Sequence, residues 1–345
     1  MALKDKSVLV IGAGPVGGIT ATVLHKAGFD ISIVCKYEDY RDLILNEGLK
    51  VKMPGGFYRD RIKAYASLNE VNSKKDIILL AVRAGDMPEA AEEIKPILRE
   101  ESLVVSMQTG ICEHELGRIL GNDHIAGCII GWKGIMNSPG DFVMTAEGDF
   151  MIGYLDNNAD ERLNEAARLL ANVMPVRIVR NITGHLYSGM IINACIASMG
   201  AITGLFAVEM ISSYRIRKLF IEIIREAVEL AYIMNIRIEK CGDKLDYYQF
   251  VSKRNLSGQI ERHIRLILTI LKFRHLKSSS LQLLERGKLT ETDCLNGYIS
   301  SNGKKYGVPC PLNDAVVDMI HEIEDGKRPV SPRNLDEEVF KKYYK

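Results

Sequence analysis

The amino-acid sequence predicts an α/β domain with a parallel sheet, followed by an all-α domain. Up to about residue 180, short apolar strands alternate with helical segments, which is typical of a parallel sheet with right-handed crossovers. Beyond about Asn181 the apolar residues recur with a period of about 3.6 residues almost throughout. At 345 residues the chain is long for a single core. We therefore expect domains at residues 1–180 and 181–328 and a polar tail at 329–345.

The first predicted strand, Ser7 to Ile11, runs directly into a glycine motif. Gly12 permits a tight turn, Gly14 lets backbone N–H groups approach a pyrophosphate, and Gly17 lets a helix pack against the strand. That helix ends near Gly28, and a second strand follows from Asp30 to Cys35. This context favours a Rossmann unit over a glycine-rich turn without a ligand. The predicted cofactor contacts in the motif are Gly12, Ala13, Gly14, Pro15, Val16 and Gly17.

The rest of the first domain continues the alternation of strands and helices. Extended chain is expected from Gly48 to Ala66, with a turn at Pro54-Gly55-Gly56. The further strands are predicted at Asp76–Val82, Ser102–Met107 and Ile125–Ile130, the helices at Asp86–Leu98 and Asp160–Asn172, and a β-hairpin at Phe142–Tyr154. The run from Asp76 to Val82 is continuously apolar, as in a strand that is buried on both faces.

Helices account for nearly all of the second domain. They are predicted at Thr183–Ala201, Ser213–Asn235, Asp246–Phe273, Glu291–Tyr306 and Leu312–Ile323. The stretch from Ser188 to Val208 carries no charge over 21 residues, long enough to cross a bilayer. Its Gly, Ala and Ser content and its polar Asn193 favour a buried helix, which the segment Gly200-Ala-Ile-Thr-Gly204 is expected to break.

Composition excludes several classes of function. The chain carries 45 basic and 44 acidic side chains, so neither nucleic acid nor a membrane is expected as a partner. Seven scattered cysteines without a C-x-x-C pair indicate neither a disulfide framework nor a zinc site, and no metal is expected. Because no apolar segment precedes the first strand, no signal peptide is expected and the predicted location is the cytoplasm.

The end of the second strand bears on the choice of cofactor. NAD-binding chains usually place an acidic residue there for the ribose hydroxyls, whereas this chain has Lys36. A base at this point favours the 2′-phosphate of NADP(H), and Arg83 can add a second positive contact. Glu38 and Asp39 lie close by and keep NAD(H) open as the alternative.

Near the C-terminus, polar and glycine residues occur in an ordered series. The series comprises Ser279-Ser-Leu-Gln282, Gly287-Lys-Leu-Thr-Glu291-Thr-Asp293, Asn296-Gly297 and Gly307-Val-Pro-Cys-Pro311-Leu-Asn313. Together with the layout of the two domains, this series resembles the ketopantoate reductase family, and the resemblance covers nearly the whole chain. Pro139-Gly140 also falls where that family has a glycine-proline-glycine turn.

The resemblance implies a two-domain build like that of 6-phosphogluconate dehydrogenase, with the substrate in the cleft between the domains. It implies that Ser279 binds polar groups of the substrate and that Glu291 lies near the nicotinamide and the substrate. The family's proton-donating lysine corresponds to Gly189, and the asparagine one turn later is Asn193. Three further family positions differ: a second asparagine corresponds to Ala197, a lysine after the buried strand to Arg83, and an asparagine-glycine to Thr109-Gly110. A standard ketopantoate reductase is therefore not expected.

Each candidate site residue also has a plain structural explanation. Glu291 would open a helix after Thr290, where a carboxylate is favourable in any case. Ser279 lies in a Ser-Ser-Ser turn, and Asn193 would lie inside an apolar helix, where its amide needs partners. His185 shares a helical face with Gly189 and Asn193, so it is either a substitute acid or a solvent-facing side chain. Lys133 follows a strand end, where ligands collect in α/β sheets, and Tyr187 is a weaker candidate.

We expect an NADP(H)-dependent oxidoreductase that reduces a small carbonyl compound resembling a 2-oxo acid. The predicted catalytic residues are Glu291, Asn193 and His185, and the predicted substrate contacts are Ser279, Asn193, Thr109 and Lys133. Two alternatives stay open: an opine-like or imine reductase, because a C=N bond is protonated more easily than a ketone, and a non-catalytic NADP(H)-binding protein. The long apolar helices favour a homodimer. Neither the substrate nor the proton donor is determined.

Overall fold

A computed structural model describes residues 3–241, 245–252, 256–270 and 277–345 of the chain. It divides into two units, Met1–Ile182 and Thr183–Lys345. The first is built on β-sheets flanked by helices, and the second is mostly helical. The predicted fold class is therefore confirmed.

The first unit contains twelve strands and five α-helices within the described residues. The strands are β1 (Ser7–Ile11), β2 (Asp30–Val34), β3 (Leu49–Met53), β4 (Gly56–Asp60), β5 (Lys63–Tyr65), β6 (Lys75–Leu80), β7 (Leu98–Ser106), β8 (Ile125–Ile130), β9 (Lys133–Ser138), β10 (Asp141–Ala146), β11 (Phe150–Tyr154) and β12 (Val176–Ile178). The helices are α1 (Pro15–Lys26), α2 (Glu38–Asn46), α3 (Met87–Ile94), α4 (Glu113–Leu120) and α5 (Glu161–Leu170).

The main sheet has eight strands in the order β12-β11-β8-β7-β6-β1-β2-β5. Strands β5, β2, β1, β6, β7 and β8 run parallel, whereas β11 pairs antiparallel with β8 and parallel with β12. The side chains of β6 from Ile77 to Leu80 are fully or almost fully buried, as the continuous apolar run predicts. The carboxyl ends of the parallel strands meet at one edge, which is where ligands bind in such sheets.

A second sheet of four strands, in the order β4-β3-β10-β9, covers helix α1. Consecutive glycines of α1 have no room for a side chain. A Cβ atom on Gly17 would lie 1.9 Å from the Gly12 carbonyl oxygen, and one on Gly18 would lie 2.3 Å from the ring of Phe142 in β10. Helix α1 is therefore packed tightly between the β1 turn and the second sheet.

The predicted hairpin from Phe142 to Tyr154 is wrong. Strand β10 pairs with β9 and β3, whereas β11 crosses to the main sheet and pairs with β8. The chain changes sheets near Gly148, whose Cα approaches the Gly131 carbonyl so closely that a Cβ would lie 2.3 Å from the oxygen. Phe142 and Phe150 are both fully buried, so the apolar pattern alone cannot assign the two strands to different sheets.

Other boundaries in the first unit also differ from the predictions. The helix predicted over Asp86–Leu98 ends at Ile94, because Lys95–Ile97 form a 3-10 turn and Leu98 already begins β7. Helices α2 and α4 and the short strand β12 were not predicted. Each is short, at ten residues or fewer, and short elements carry too few repeats for their periodicity to be detected.

The second unit contains nine helices among the described residues. They are α6 (Ile182–Thr203), α7 (Ala207–Ser212), α8 (Tyr214–Ile233), α9 (Tyr247–Ser252), α10 (Leu256–Ile270), α11 (Ser279–Glu285), α12 (Asn296–Tyr306), α13 (Pro311–Glu324) and α14 (Glu338–Lys341). Of the helix predicted over Asp246–Phe273, the described residues form α9 and α10. Residues 253–255 and 271–273 of that prediction lie outside the described residues.

Helix α6 is the core helix of the second unit. Among the described residues it alone is long and apolar enough, by length and composition, to cross a membrane. In the fold, 89% of its most apolar window is buried, which agrees with the predicted buried helix. The helix ends at Thr203, and the following Gly204 has a positive φ of 75°.

The C-terminal residues 329–345 pack onto the second unit instead of forming a peripheral tail. The side-chain amide of Asn334 and the backbone N–H of Ser331 both donate to the carbonyl oxygen of Ile202, at 2.9 and 3.0 Å. Phe340 is fully buried. The polar composition of this segment concealed the few apolar side chains that hold it in place.

We predict that Gly17→Ala costs more stability than Gly14→Ala. The Gly17 variant should lose at least about 1–3 kcal/mol of stability, because its methyl group overlaps the Gly12 carbonyl. The Gly14 variant should lose less than about 1 kcal/mol, because no atom lies within 4 Å of its Cβ position. Urea denaturation of both variants measures the difference, and equal stability losses would contradict this account of helix packing.

Candidate functional site

The glycine motif forms a turn between β1 and α1 with open space above its centre. The N–H of Gly12 donates to the Val34 carbonyl at 3.0 Å, and a Cβ on Gly12 would lie 2.6 Å from the Ala81 carbonyl oxygen. Gly14 precedes the first residue of α1, Pro15, and a Cβ on Gly14 would meet no atom within 4 Å. A helix N-terminus with free space in front of its first turn suits an anionic group such as a pyrophosphate.

Two cations flank this turn at the carboxyl edge of the main sheet. Lys36 follows β2 and Arg83 follows β6, the two neighbours of β1. Both reach the carboxylate of Asp86: Lys36 Nζ lies 3.5 Å from Oδ1, and Arg83 Nε lies 3.6 Å from Oδ2. The lysine side chain is 68% exposed and that of the arginine 45%. Exposed pairs of this kind contribute little to stability, so both cations are available to a ligand.

Lys133 lies close to the start of α1. It is the first residue of β9, and a Cβ on the next residue, Gly134, would lie 3.5 Å from the Cβ of Pro15. Lys133 is partly buried, and burial lowers the pKa of its ammonium group. Thr109 is exposed in the loop after β7.

Three candidate positions of the second unit form a stripe along α6. His185, Gly189 and Asn193 follow one another at intervals of four residues, and they are partly or fully exposed on a helix that is otherwise mostly buried. The expectation that Asn193 is buried is wrong, because the helix turns this one face outward. A Cβ on Gly189 would meet no atom within 4 Å. The stripe is therefore accessible, and a longer side chain would fit at Gly189.

Helices α12 and α11 pack near the two ends of this stripe. The ring of Tyr298 in α12 meets the ring of Tyr187 edge-on, with centroids 6.3 Å apart. Tyr187 is fully buried and its hydroxyl donates to the Ala227 carbonyl at 2.9 Å, so it has a structural role. At the other end, the buried Ser278 lies against Gly200, and its side chain accepts from the N–H of Leu281. Ser279 is the exposed first residue of α11.

Glu291 does not begin α12, as the sequence indicated. It precedes a short 3-10 turn, Thr292–Cys294, and its carbonyl accepts from the N–H of Cys294 at 3.1 Å. The α-helix starts only at Asn296. Because a three-residue turn has little macrodipole, stabilisation of a helix N-terminus does not explain a glutamate here. The side chain of Glu291 is partly exposed.

The most specific part of the C-terminal series builds a buried polar network. Glu226 of α8 accepts from the N–H groups of Leu312 and Asn313 at 2.8 and 3.0 Å, which caps the start of α13. The amide of Asn313 also donates to Glu226, at 2.7 Å, and accepts from Asn296 at 2.9 Å. Burial raises the pKa of Glu226, whereas these three donors act to lower it. Asn296 and Asn313 therefore help to hold α8, α12 and α13 together.

Sequence reasoning missed several residues near the carboxyl edge: Tyr40, Asp86 and Glu113. Glu113 is the first residue of α4 and is completely buried. Burial raises the pKa of its carboxyl group to about 7, against smaller opposing effects of the nearby N–H groups and Ser106. No sequence signal distinguishes this glutamate from the exposed ones. Buried carboxylates without an ionic partner are rare, so a glutamate in a sequence is expected to be exposed.

We predict that the stability difference between the wild type and Glu113→Gln depends on pH. In the folded state the carboxyl group of Glu113 keeps its proton up to about pH 7, whereas in the unfolded chain it loses the proton near pH 4.5. Stability of the wild type should therefore fall relative to the variant, by a few kcal/mol, as the pH rises from 4.5 to above 7. Urea denaturation at pH 5 and pH 8 measures the difference; a constant value would show that Glu113 is not buried as described.

Family models cover most of the chain. A model described as ketopantoate reductase PanE/ApbA matches residues 8–157, and a model for the C-terminal part of the same protein matches residues 181–324. The 2-dehydropantoate 2-reductase of Aquifex aeolicus is 25% identical over 90% of this chain and 95% of its own length. That of Lactococcus lactis is 21% identical over 92% of this chain and 98% of its own.

Solved structures show the same fold. A PanE/ApbA family ketopantoate reductase from Ralstonia eutropha has a TM-score of 0.79 at 23% identity and covers 93% of this chain and 99% of its own. D-mandelate dehydrogenase, in a ternary structure with NADH and anilino(oxo)acetate, has a TM-score of 0.78 at 21% identity and covers 92% and 98%.

Proposed function

The chain belongs to the ketopantoate reductase family, and we propose that it is an NADP(H)-dependent oxidoreductase that reduces a small 2-oxo acid. Its relatives are 2-dehydropantoate 2-reductases. The observation that carries the proposal is the set of groups at the carboxyl edge of the main sheet. Open space at Gly14 suits a pyrophosphate, and the exposed cations Lys36 and Arg83 suit a further phosphate.

The preference for NADPH rests on Lys36 and Arg83. Lys36 and Arg83 both lie beside Asp86. A bound 2′-phosphate would accept charge-assisted hydrogen bonds from both side chains. Structures of D-mandelate dehydrogenase contain NADH, so this fold also accepts the dinucleotide without a 2′-phosphate. The choice must come from these side chains and not from the fold.

When bound, the cofactor supplies the hydride; the protein must orient the carbonyl and supply a proton. We assign these tasks to Glu291, Asn193 and His185, with Ser279, Thr109 and Lys133 holding the polar groups of the substrate. The face of α6 that carries His185, Gly189 and Asn193 is accessible. Gly189 offers no acid, and His185 is the residue of this stripe whose side chain can carry and donate a proton.

The lack of an acidic side chain at Gly189 also favours a second candidate function, an imine reductase. A C=N bond is more basic than a ketone and can arrive already protonated, so it does not need a strong acid from the protein. Assays with 2-oxo acids, with and without added amines, distinguish the two activities. A protein that binds NADPH but oxidises it in neither assay would be a non-catalytic binding protein.

We also propose a homodimer formed through α10. Ile260, Ile264 and Leu268 lie along one face of this helix and are 57%, 51% and 43% exposed. Glu261 and Arg265 pair beside them at 2.7 Å, so charges of both signs border this apolar face. We expect light scattering to give the mass of two chains for the wild type and the mass of one chain for Ile264→Glu. A wild type with the mass of one chain would contradict the proposed dimer.

We predict tighter binding of NADPH than of NADH. Lys36→Ala and Arg83→Ala should each weaken NADPH by about three- to tenfold and leave NADH nearly unchanged, because only NADPH carries the 2′-phosphate. The exposed Lys52 of β3 provides the control: Lys52→Ala should change neither affinity. Calorimetric titration measures all of these, and equal wild-type affinities for the two cofactors would remove the case for NADP.

We predict that the wild type reduces ketopantoate slowly and that Gly189→Lys raises the rate by about 10²-fold or more, the usual contribution of a positioned acid. Gly189→Ala fills the same open space without an ammonium and should leave the rate unchanged. Glu291→Gln should abolish most turnover. Steady-state kinetics measure these rates. A wild-type turnover of about 10 per second with ketopantoate would show that another residue already replaces the lysine.

A further inference from the structure

Tyr40 of α2 connects two backbone segments that are far apart in sequence. Its hydroxyl donates to the carbonyl oxygen of Ala13 at 3.0 Å and accepts from the N–H of Gly140 at 3.2 Å. Ala13 belongs to the glycine motif, and Gly140 forms the turn between β9 and β10. The phenol proton makes the first bond and a lone pair of the oxygen makes the second, so one hydroxyl serves both segments at once.

The Gly140 turn is held against α2 by packing as well. Gly140 has a positive φ of 77°, and a Cβ there would lie 2.6 Å from the Leu43 side chain, one turn after Tyr40. The carbonyl of Gly140 in turn accepts from the N–H of Lys50 at 2.7 Å. The turn is therefore a fixed support for the hydroxyl and not a mobile loop tip.

The bond to Ala13 fixes the orientation of the peptide that joins Ala13 and Gly14. In a planar trans peptide the C=O and the N–H point in opposite directions. Because the Ala13 carbonyl points to Tyr40, the N–H of Gly14 points to the opposite side of the chain. Gly14 is the residue whose Cβ position is open.

We propose that Tyr40 is a positioning residue that holds the Ala13–Gly14 peptide in the orientation that presents the Gly14 N–H to the pyrophosphate of the cofactor. This inference rests on the proposed function, since it concerns how the dinucleotide is bound. Burial raises the pKa of Tyr40 to about 12, so the hydroxyl keeps its proton and remains a donor throughout the neutral range. The bond costs nothing to form when a ligand arrives, because it already exists in the free protein.

The test is Tyr40→Phe, which removes the hydroxyl and keeps the ring. We expect NADPH to bind about five- to tenfold more weakly, the usual effect of one lost hydrogen bond. Adenosine 2′-monophosphate has no 5′-phosphate, so its affinity should be unchanged. The matched control is Tyr58→Phe on β4, which should leave both affinities as they are.

Calorimetry with the two probes separates a positioning role from a structural one. An unchanged affinity for NADPH in the Tyr40 variant would overturn the proposal, and so would an equal loss for both probes, since that indicates general damage to the site. A wild type that binds neither NADPH nor NADH would instead refute the proposed function, and the role of Tyr40 would fall with it.

Discussion

The absence of side chains at Gly17 and Gly18 is the constraint on which the first unit depends. One glycine lets α1 touch the turn that follows β1, and the next lets the ring of Phe142 touch the same helix from the second sheet. A residue with a Cβ at either position would push one sheet away from the helix. The same close contact places the N-terminus of α1 at the carboxyl edge of the main sheet, where Lys36 and Arg83 also lie. Packing and the position of the proposed cofactor site therefore rest on the same two residues.

The C-terminal sequence series combines two kinds of residue. Asn296 and Asn313 belong to the buried network around Glu226, which caps α13 and joins three helices. Breaking such a network leaves a buried carboxylate without donors, which is costly. Glu291 and Ser279, by contrast, are partly or fully exposed. A shared motif can thus identify a family through residues that hold its helices together.

Periodicity predicted the elements that are long or deeply buried, and it failed where two arrangements share one pattern. The bounds of β1 and β8 and the positions of α1, α6, α8 and α13 followed from apolar spacing, glycine and proline. The buried positions of Phe142 and Phe150 are the same whether β10 and β11 lie in one sheet or in two. The close backbone contact at Gly148, where the chain crosses between the sheets, is what distinguishes the two arrangements. For the candidate site, the sequence indicated which residue types matter but not their environment. Asn193 faces outward, Glu113 is buried, and the contact of Tyr40 with Gly140 spans 100 residues, a separation that no local pattern encodes.

Several contacts that cover helix α6 come from segments that follow it in the chain. Tyr247 donates to the carbonyl of Ser188, Tyr298 packs on Tyr187, and Asn334 closes the last turn at Ile202. During synthesis the ribosome releases this uncharged helix before any of these partners exists. The nascent chain therefore carries its most apolar segment only partly covered until these later segments emerge, and an exposed apolar helix of this kind favours aggregation during folding.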